Sequence, residues 1–404
     1  MAGDAIYEDG PPRAGAGAAA VARRRSAYPI KLLIAITDLD LGGSPLVAQA
    51  LATGLRDTGD FAPTVVSLAP PGAVGEMLQK AGIPVLSCRA RGRRDAGAVL
   101  QFVKLARRVQ PDILYSMLVH ANIAATCAKP FLPRCVFYQS IHTLQPRPRW
   151  HWQAQGLVSP AADGLIAPTR AVLNRVAKFG FYRRGFVVPN GIDCQLFRDA
   201  APLPPSERPW PAGALALGFI GRFDAVKRLY LLIEAMVSLT AAERPGQRPW
   251  HLTLVGYGPE QGGLEHMAKR LGVRERVHFP GPSTMPHRWY KSFDFFVFPS
   301  ISEGFGLALV EAMAAGVPIV ACDSPATREI LNFGRLGEVV DCQQKIRLAD
   351  VLQGLSVNSQ RVRARAALAA ATVQQRYSVG AMVAEHSRIF KNSPNFFLCE
   401  KHMA

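Results

Sequence analysis

"FDFFVFPSISEGFGLALVEAMAAGVPIVA" (residues 293–321) reads as a strand, a glycine turn, a helix and a second strand. The first run, 293–300, is short, aromatic and apolar and carries turn residues at its end, which is the signature of a buried strand. A helical stretch from about Leu307 to Ala315 follows, closed by Gly316 and Pro318, residues that stop a helix. Between them lies Ser302-Glu303-Gly304-Phe305-Gly306, a turn at the carboxyl end of a strand and at the mouth of a helix.

Outward from this unit the same alternation recurs. After Pro189 and a Pro-rich spacer, "LPPSERPWPAG" (203–213), come the strand-like runs "ALALGFIG", "WHLTLVG", "RVHFPG", "FDFFVFP", "VPIVAC" and "GEVVD". Before it, from Ile30, come "KLLIAI", "TVVSL", "IPVL", "DILYS", "RCVFY", "GLIAP" and "FVVPN". Strands alternating with helical stretches predict α/β architecture, a mostly parallel sheet with helices on both faces, and the restart predicts two such doubly wound, Rossmann-like lobes in tandem. The expected division is a disordered tail over 1–28, a first domain over 29–188, a second over 189–375, and a closing helix with a tail over 376–404.

A chain of 404 residues with 49% hydrophobic content can give each of two domains its own core. Its net charge of +17 and pI near 9.9 predict an anionic partner, whether a phosphorylated ligand, an acidic membrane surface or nucleic acid. Neither a zinc-knuckle spacing nor an aromatic-basic RNA-binding signature is present, so nucleic acid is not the expected partner. The seven cysteines are odd in number, scattered and never spaced C-x-x-C, which reads as reduced core thiols in a cytosol, without a disulfide framework or zinc site. No uncharged apolar run reaches the roughly 18 residues of a membrane span. In "AGAGAAAVA" (14–22) the basic cluster follows the apolar part, the reverse of a signal peptide.

In open α/β sheets ligands bind beyond the carboxyl ends of the strands, so the turn at 302–306 faces a ligand crevice. Gly304 and Gly306 permit close backbone approach, and the N–H groups at the helix mouth invite a phosphate. Two acids there cannot be phosphate ligands; as hydrogen-bond acceptors they suit hydroxyls. Glu303 would take those of a sugar, and Glu311, roughly 7 Å up the helix, those of a ribose. A diphosphate between two polyols is a nucleotide sugar. Taken alone, Glu303 reads equally as a capping-region acid and Glu311 as a solvated helix residue. "GFIGRFDAVKR" (218–228) adds Gly221, Arg222 and Lys227 just past a strand, a guanidinium and an ammonium suited to a pyrophosphate, or else a solvated basic loop. "LVGYGPE" (254–260) sends another strand into Gly256 and Gly258. It fails as a dinucleotide fingerprint, since Arg276 stands where an acid is needed, and reads instead as a turn approached by base or ribose.

"PNGID" (189–193), Arg222 with Lys227, "LVGYGPE", and Glu303 spaced eight before Glu311 together resemble the retaining glycosyltransferases of family 4. The resemblance covers about Lys31 to Phe390. It implies the GT-B fold, two Rossmann-like lobes facing a cleft. It implies that Arg222 and Lys227 hold the donor diphosphate, that Glu303 contacts the transferred sugar and Glu311 the ribose, and that the backbone at Phe305, Gly306 and Leu307 lies against sugar and phosphate. It implies no metal and no cofactor beyond the nucleotide-diphosphate sugar, a UDP- or GDP-sugar, which is itself a substrate. The implied reaction is transfer of a sugar to a hydroxyl of a lipid-linked or glycan acceptor, in cell-envelope polysaccharide, lipopolysaccharide or glycolipid synthesis. The implied location is cytoplasmic, peripheral on the inner face of the cell membrane.

The first lobe departs further from that pattern. "DLDLGGSPLVAQALATGL" (38–55) resembles the family's glycine loop near the donor phosphate, with Gly42 and Gly43 at a helix mouth, though Ser44-Pro45 replaces the commoner Ala-Glu. Asp38-Leu39-Asp40 spells the D-x-D of metal-dependent glycosyltransferases of the other fold, but the lysine–arginine pair already supplies positive charge, and metal binding is not expected. In "PDILYSMLVHANIAA" (111–125), Tyr115 and Met117 stand where family histidines often occur, leaving His120 as the catalytic-side candidate and Asn122 beside it; His142, ending "YQSIH", is a second acceptor-side candidate. His120 reads equally as a structural histidine. The basic stretch 88–109 and "LQPRPRWHW" (144–152), with Trp150 and Trp152, suit an anionic membrane surface, or else a solvated helix face and loop. Two rival functions remain: a nucleotide-sugar 2-epimerase, which needs no acceptor, and a non-catalytic sugar-nucleotide binder.

Overall fold

The computed structural model describes residues 28–92, 95–144, 148–342 and 345–393. The tail assigned to 1–28, apart from Tyr28, lies outside them, as do Arg93 and Arg94 of the basic stretch and the chain after Ser393.

Each strand-like run of the sequence carries a strand. The first seven are β1 (Ile30–Ile36), β2 (Phe61–Ser67), β3 (Val85–Ser87), β4 (Ile113–Met117), β5 (Val136–Ser140), β6 (Gly164–Ala167) and β7 (Gly185–Val187). Among the described residues they form one parallel sheet in the order β3-β2-β1-β4-β5-β6-β7. The next six are β8 (Leu215–Ile220), β9 (Trp250–Val255), β10 (Val277–Gly281), β11 (Phe295–Phe298), β12 (Ile319–Cys322) and β13 (Glu338–Val340), in the order β10-β9-β8-β11-β12-β13. Central strands β4, β5, β9, β11 and β12 are buried along their whole length, as strands covered on both faces must be.

The chain divides into two compact units. The first contains the β1–β7 sheet, runs to Pro189 and resumes at Met382; the second takes Asn190–Ala381 together with Thr143 and Leu144. The last described helix, Val379–Lys391, is therefore part of the first unit for most of its length. Its Phe390 packs edge-on to Phe61 and Tyr115, and its buried His386 lies 3.4 Å from the Tyr115 hydroxyl. Burial, opposed by the Met382 carbonyl bond and by the charge of Glu385, lowers the pKa of His386 to about 4, so the ring is neutral in the core. Tyr115, at a position where the resembled family often has histidine, thus belongs to this packing.

In each sheet the chain order reverses once, between β1 and β4 and between β8 and β11. Those reversals are where doubly wound sheets open a ligand crevice at their carboxyl edge. The loops after β8 and β11 carry Arg222, Lys227 and Glu303; past β1 come Gly42 and then Gly43, the first residue of the helix Gly43–Asp57, and past β4 His120 lies in the first turn of the helix Val119–Ala128.

One expectation is overturned. Cys322, the last residue of β12, is disulfide-bonded to Cys342, two residues past β13, with Cα atoms 5.4 Å apart. The parallel register that pairs Cys322 with Val340 brings the two sulfurs together across neighbouring strands, which spacing along the chain does not reveal. Cys88, Cys127, Cys135 and Cys194 are free.

Candidate functional site

In the second unit, the helix Leu307–Ala315 starts at Gly306, whose φ of +90° is left-handed, and stops at Gly316 with φ +72°. No side chain caps its start. Phe305 is buried with its ring 5.7 Å from that of Tyr377, so this residue offers the crevice only its backbone. Ser300, just past β11, is fully buried with an unpartnered hydroxyl. Buried polar groups are nearly always paired, so an orphan at a strand's carboxyl end marks a polar site; an isolated serine in the sequence carries no such signal.

Lys227 ends a short 3-10 turn after β8, and its ammonium hydrogen-bonds and ion-pairs with Glu303. Both side chains are mostly covered, 19% and 15% exposed, and the ammonium lies 5.6 Å from the centre of the Phe298 ring. Two residues 76 apart in sequence are thus joined at the carboxyl edge of the sheet, on the two loops that flank its reversal. Arg222 is held separately: its guanidinium pairs with Asp224 at 3.1 Å and is 69% exposed. Arg228, next to Lys227 at φ +51°, donates to the carbonyl of Cys342 at 3.1 Å, which ties this loop to the disulfide.

Glu311, one turn into the helix, accepts a 2.9 Å hydrogen bond from the hydroxyl of Tyr290, a partner the sequence does not suggest. Burial raises its carboxyl pKa from 4.5 to about 7, with the Tyr290 bond opposing. The folded chain therefore keeps a proton that the unfolded chain loses above pH 4.5. The stability from that proton is complete below the unfolded value and is lost as the pH rises through about 7. Thermal unfolding from pH 5 to 8 should show a falling Tm that Glu311→Gln flattens; equal slopes in the two proteins would refute this assignment.

The turn after β9 packs closely against another loop. A Cβ on Gly256 would lie 2.0 Å from the Gly221 carbonyl oxygen, and one on Gly258 would lie 2.6 Å from the Phe223 backbone. Their missing side chains make room for the loop after β8, which is bonded to this turn through Phe223 N–H to the Tyr257 carbonyl at 2.9 Å. These glycines make room for loop-on-loop packing.

In the first unit, Gly42 precedes the helix Gly43–Asp57 in extended conformation, and a Cβ there would meet nothing closer than 3.7 Å. Packing within the chain does not require glycine at this position. His120 packs edge-on against Trp150 and His151, with ring centres 5.5 and 5.2 Å away. His142 lies 2.9 Å from the Ser140 hydroxyl.

Asn122 is corrected from an acceptor-side candidate to a core residue. It is completely buried; its oxygen accepts from Ser116 at 2.6 Å, and its amide donates to the Ser140 carbonyl at 3.0 Å and to Gln155 at 2.8 Å. Gln155 passes the network on to Gln139 and Ser159. Completely buried and with both amide hydrogens engaged, Asn122 is out of a substrate's reach. Asn122→Leu would strand the Gln155 side-chain oxygen and the Ser116 hydroxyl in the core, and we expect it to cost about 3 kcal/mol in urea unfolding. Trp152 is corrected likewise: it is buried and stacked near Phe179, away from any membrane surface, whereas Trp150 is exposed.

Comparison with known proteins follows the same division. The glycosyltransferase family 4 model matches residues 41–196 and the glycosyl transferases group 1 model residues 206–371. D-inositol 3-phosphate glycosyltransferase 2 of Catenulispora acidiphila is 32% identical over 206 residues, 48% of each chain. A D-inositol 3-phosphate glycosyltransferase of Xylanimonas cellulosilytica is 28% identical over 270 residues, 62% of each. The matches thus span about half to three fifths of these relatives. In fold, Anabaena HepE in complex with UDP-glucose superposes with a TM-score of 0.75 at 22% identity, covering 90% of this chain and 99% of that one. Sucrose-phosphate synthase from Thermosynechococcus elongatus gives 0.75 at 18% identity, covering 91% and 100%. With its two parallel-sheet units and a family model on each, the chain belongs to the group 1 and family 4 glycosyltransferases and has the GT-B fold.

Proposed function

We propose that the protein transfers a sugar from a nucleoside-diphosphate sugar to an acceptor hydroxyl, with retention of the anomeric configuration and without a metal. The observation that carries this reading is the Lys227–Glu303 pair at the sheet's carboxyl edge, beside the Gly306-started helix. The helix-mouth N–H groups and Lys227 would take the diphosphate, with the exposed Arg222 swinging from Asp224 to join them. Glu303 would hold sugar hydroxyls and Glu311 those of the ribose. The bond from the anomeric carbon to the phosphate oxygen breaks as the bond to the acceptor oxygen forms on the same face. The departing phosphate takes the acceptor's proton, and Lys227 and the helix mouth stabilise its growing charge. His120 and His142 are the acceptor-side candidates.

A UDP donor is favoured because HepE, on the same fold, was solved with UDP and with UDP-glucose. The acceptor is read as lipid-linked or glycan, in envelope polysaccharide or glycolipid synthesis, reached from the cytoplasmic side. Among the described residues no helix is long and apolar enough to cross a membrane.

Thermal-shift measurements with UDP, GDP and ADP and their sugars test the donor site, since stabilisation follows affinity. At least one should raise Tm, and turnover should survive chelation by EDTA. No response to any nucleotide would overturn the reading; loss of turnover with EDTA would overturn its metal-free part. Conversion of donor to an epimer without acceptor would instead identify an epimerase.

A further inference from the structure

The helix Trp150–Val158 is apolar on two sides. Its inward face buries Trp152, Gln155 and Gly156. On another, Trp150 and Leu157 stand 41% and 82% exposed, with the half-buried Ala154 between them at i, i+4, i+7 spacing. The helix has a neighbour from elsewhere in the chain. A Cβ on Gly156 would lie 2.2 Å from the Phe179 carbonyl, and one on Gly180 2.3 Å from the Gly156 carbonyl, so the two backbones touch. Leu157 and Phe181, the latter 65% exposed, each directly follow one of these touching glycines in the chain. Large apolar side chains gathered in solvent mark an interaction surface, unlike the scattered ones of ordinary surfaces.

Its charge identifies the partner. Lys178, Arg183 and Arg184 surround Phe181 in sequence and are exposed, and Arg149 precedes Trp150. Residues 148–186 hold six lysines and arginines against one acid, Asp163. The Asp163 carboxylate is already engaged, accepting from the Phe137 N–H at 2.8 Å and lying 4.0 Å from Lys129. A second copy of this chain would bring the same cations against these, with no acids to meet them. An anionic bilayer meets both halves of the pattern, taking the apolar side chains below the headgroups and the cations at phosphate level.

We propose that this face of the first unit, centred on Leu157 and Phe181, is a docking surface for an anionic lipid membrane. It deepens the reading of a lipid-linked acceptor, and binding to lipid can be measured without any transfer reaction. In flotation with the full chain, phosphatidylcholine–phosphatidylglycerol vesicles should carry the protein up and phosphatidylcholine vesicles should not, with raised salt weakening the binding. The double substitution Leu157→Ser with Phe181→Ser should lower the partition coefficient by at least about tenfold. Arg183→Glu with Arg184→Glu should lower it by about tenfold or more.

All variants should keep the wild-type Tm and the wild-type response to UDP. The proposal is overturned if the wild type ignores anionic vesicles, or if both double variants float as it does. It is also overturned if sizing shows a dimer that the Leu157→Ser, Phe181→Ser protein has lost, since the face would then be an interface between copies. Flotation on anionic vesicles without any nucleotide response would remove the proposed activity and leave the docking surface standing.

Discussion

Lys227→Met is expected to lower turnover by about 10²- to 10³-fold. The ammonium is the cation that tertiary packing holds against Glu303, and no other basic side chain is described in that contact. Removing it takes away charge that would stabilise the leaving diphosphate. It also leaves the Glu303 carboxylate mostly buried without its partner, so the single substitution should lower stability as well. The two effects separate in the double variant Lys227→Met with Glu303→Gln. Taking out both charges should recover most of the lost Tm while turnover stays low. Recovery of turnover along with stability would show that the pair is structural only, and near-normal turnover in Lys227→Met would remove it from the reaction.

Gly256→Ala should be the most damaging single methyl group in the second unit's carboxyl-edge loops. Its Cβ would sit 2.0 Å from the Gly221 carbonyl oxygen, and the residue's φ of +138° is one that alanine does not adopt without strain. The carbonyl belongs to backbone bonded to the end of β9 by Gly221 N–H to Val255 at 3.0 Å, so it cannot move without breaking that bond. A loss of about 3 kcal/mol is expected in denaturant unfolding. Because the displaced loop leads to Arg222 and Lys227, the response to UDP should weaken too. Gly263→Ala, in the helix Gln261–Arg270 with nothing within 4 Å of the added carbon, is the control. It should stabilise by up to about 1 kcal/mol. Similar behaviour of the two variants would refute the close-approach argument.

The residues that carry the site divide by how far apart their partners lie. The Leu307–Ala315 helix, with its glycines at each end, was readable because strand ends, helix stops and left-handed glycines are short-range features. The reading of Glu311 as an exposed acceptor was incomplete, because Tyr290, 21 residues earlier, supplies its hydrogen bond and burial moves its pKa. Asn122 looked like a substrate ligand beside His120 until Gln155, 33 residues on, took its amide. Gly256 and Gly258 pointed to close approach correctly, but a glycine does not say whether the approaching group is a ligand or, as here, another loop of the same chain.

The amino-acid sequence by itself determined the thirteen strands described here and the two-lobed α/β architecture. Hydrophobic runs, turn residues and helix stops act on near neighbours, and parallel alternation leaves few topologies open. Only the tertiary structure decided which polar and apolar side chains remain for partners. It buried Trp152 and exposed Leu157 on one helix, spent Asn122 in the core, joined Lys227 to Glu303, and set Cys322 against Cys342. The physical reason is that each of these outcomes depends on atoms brought from distant elements, and local propensity carries no information about them.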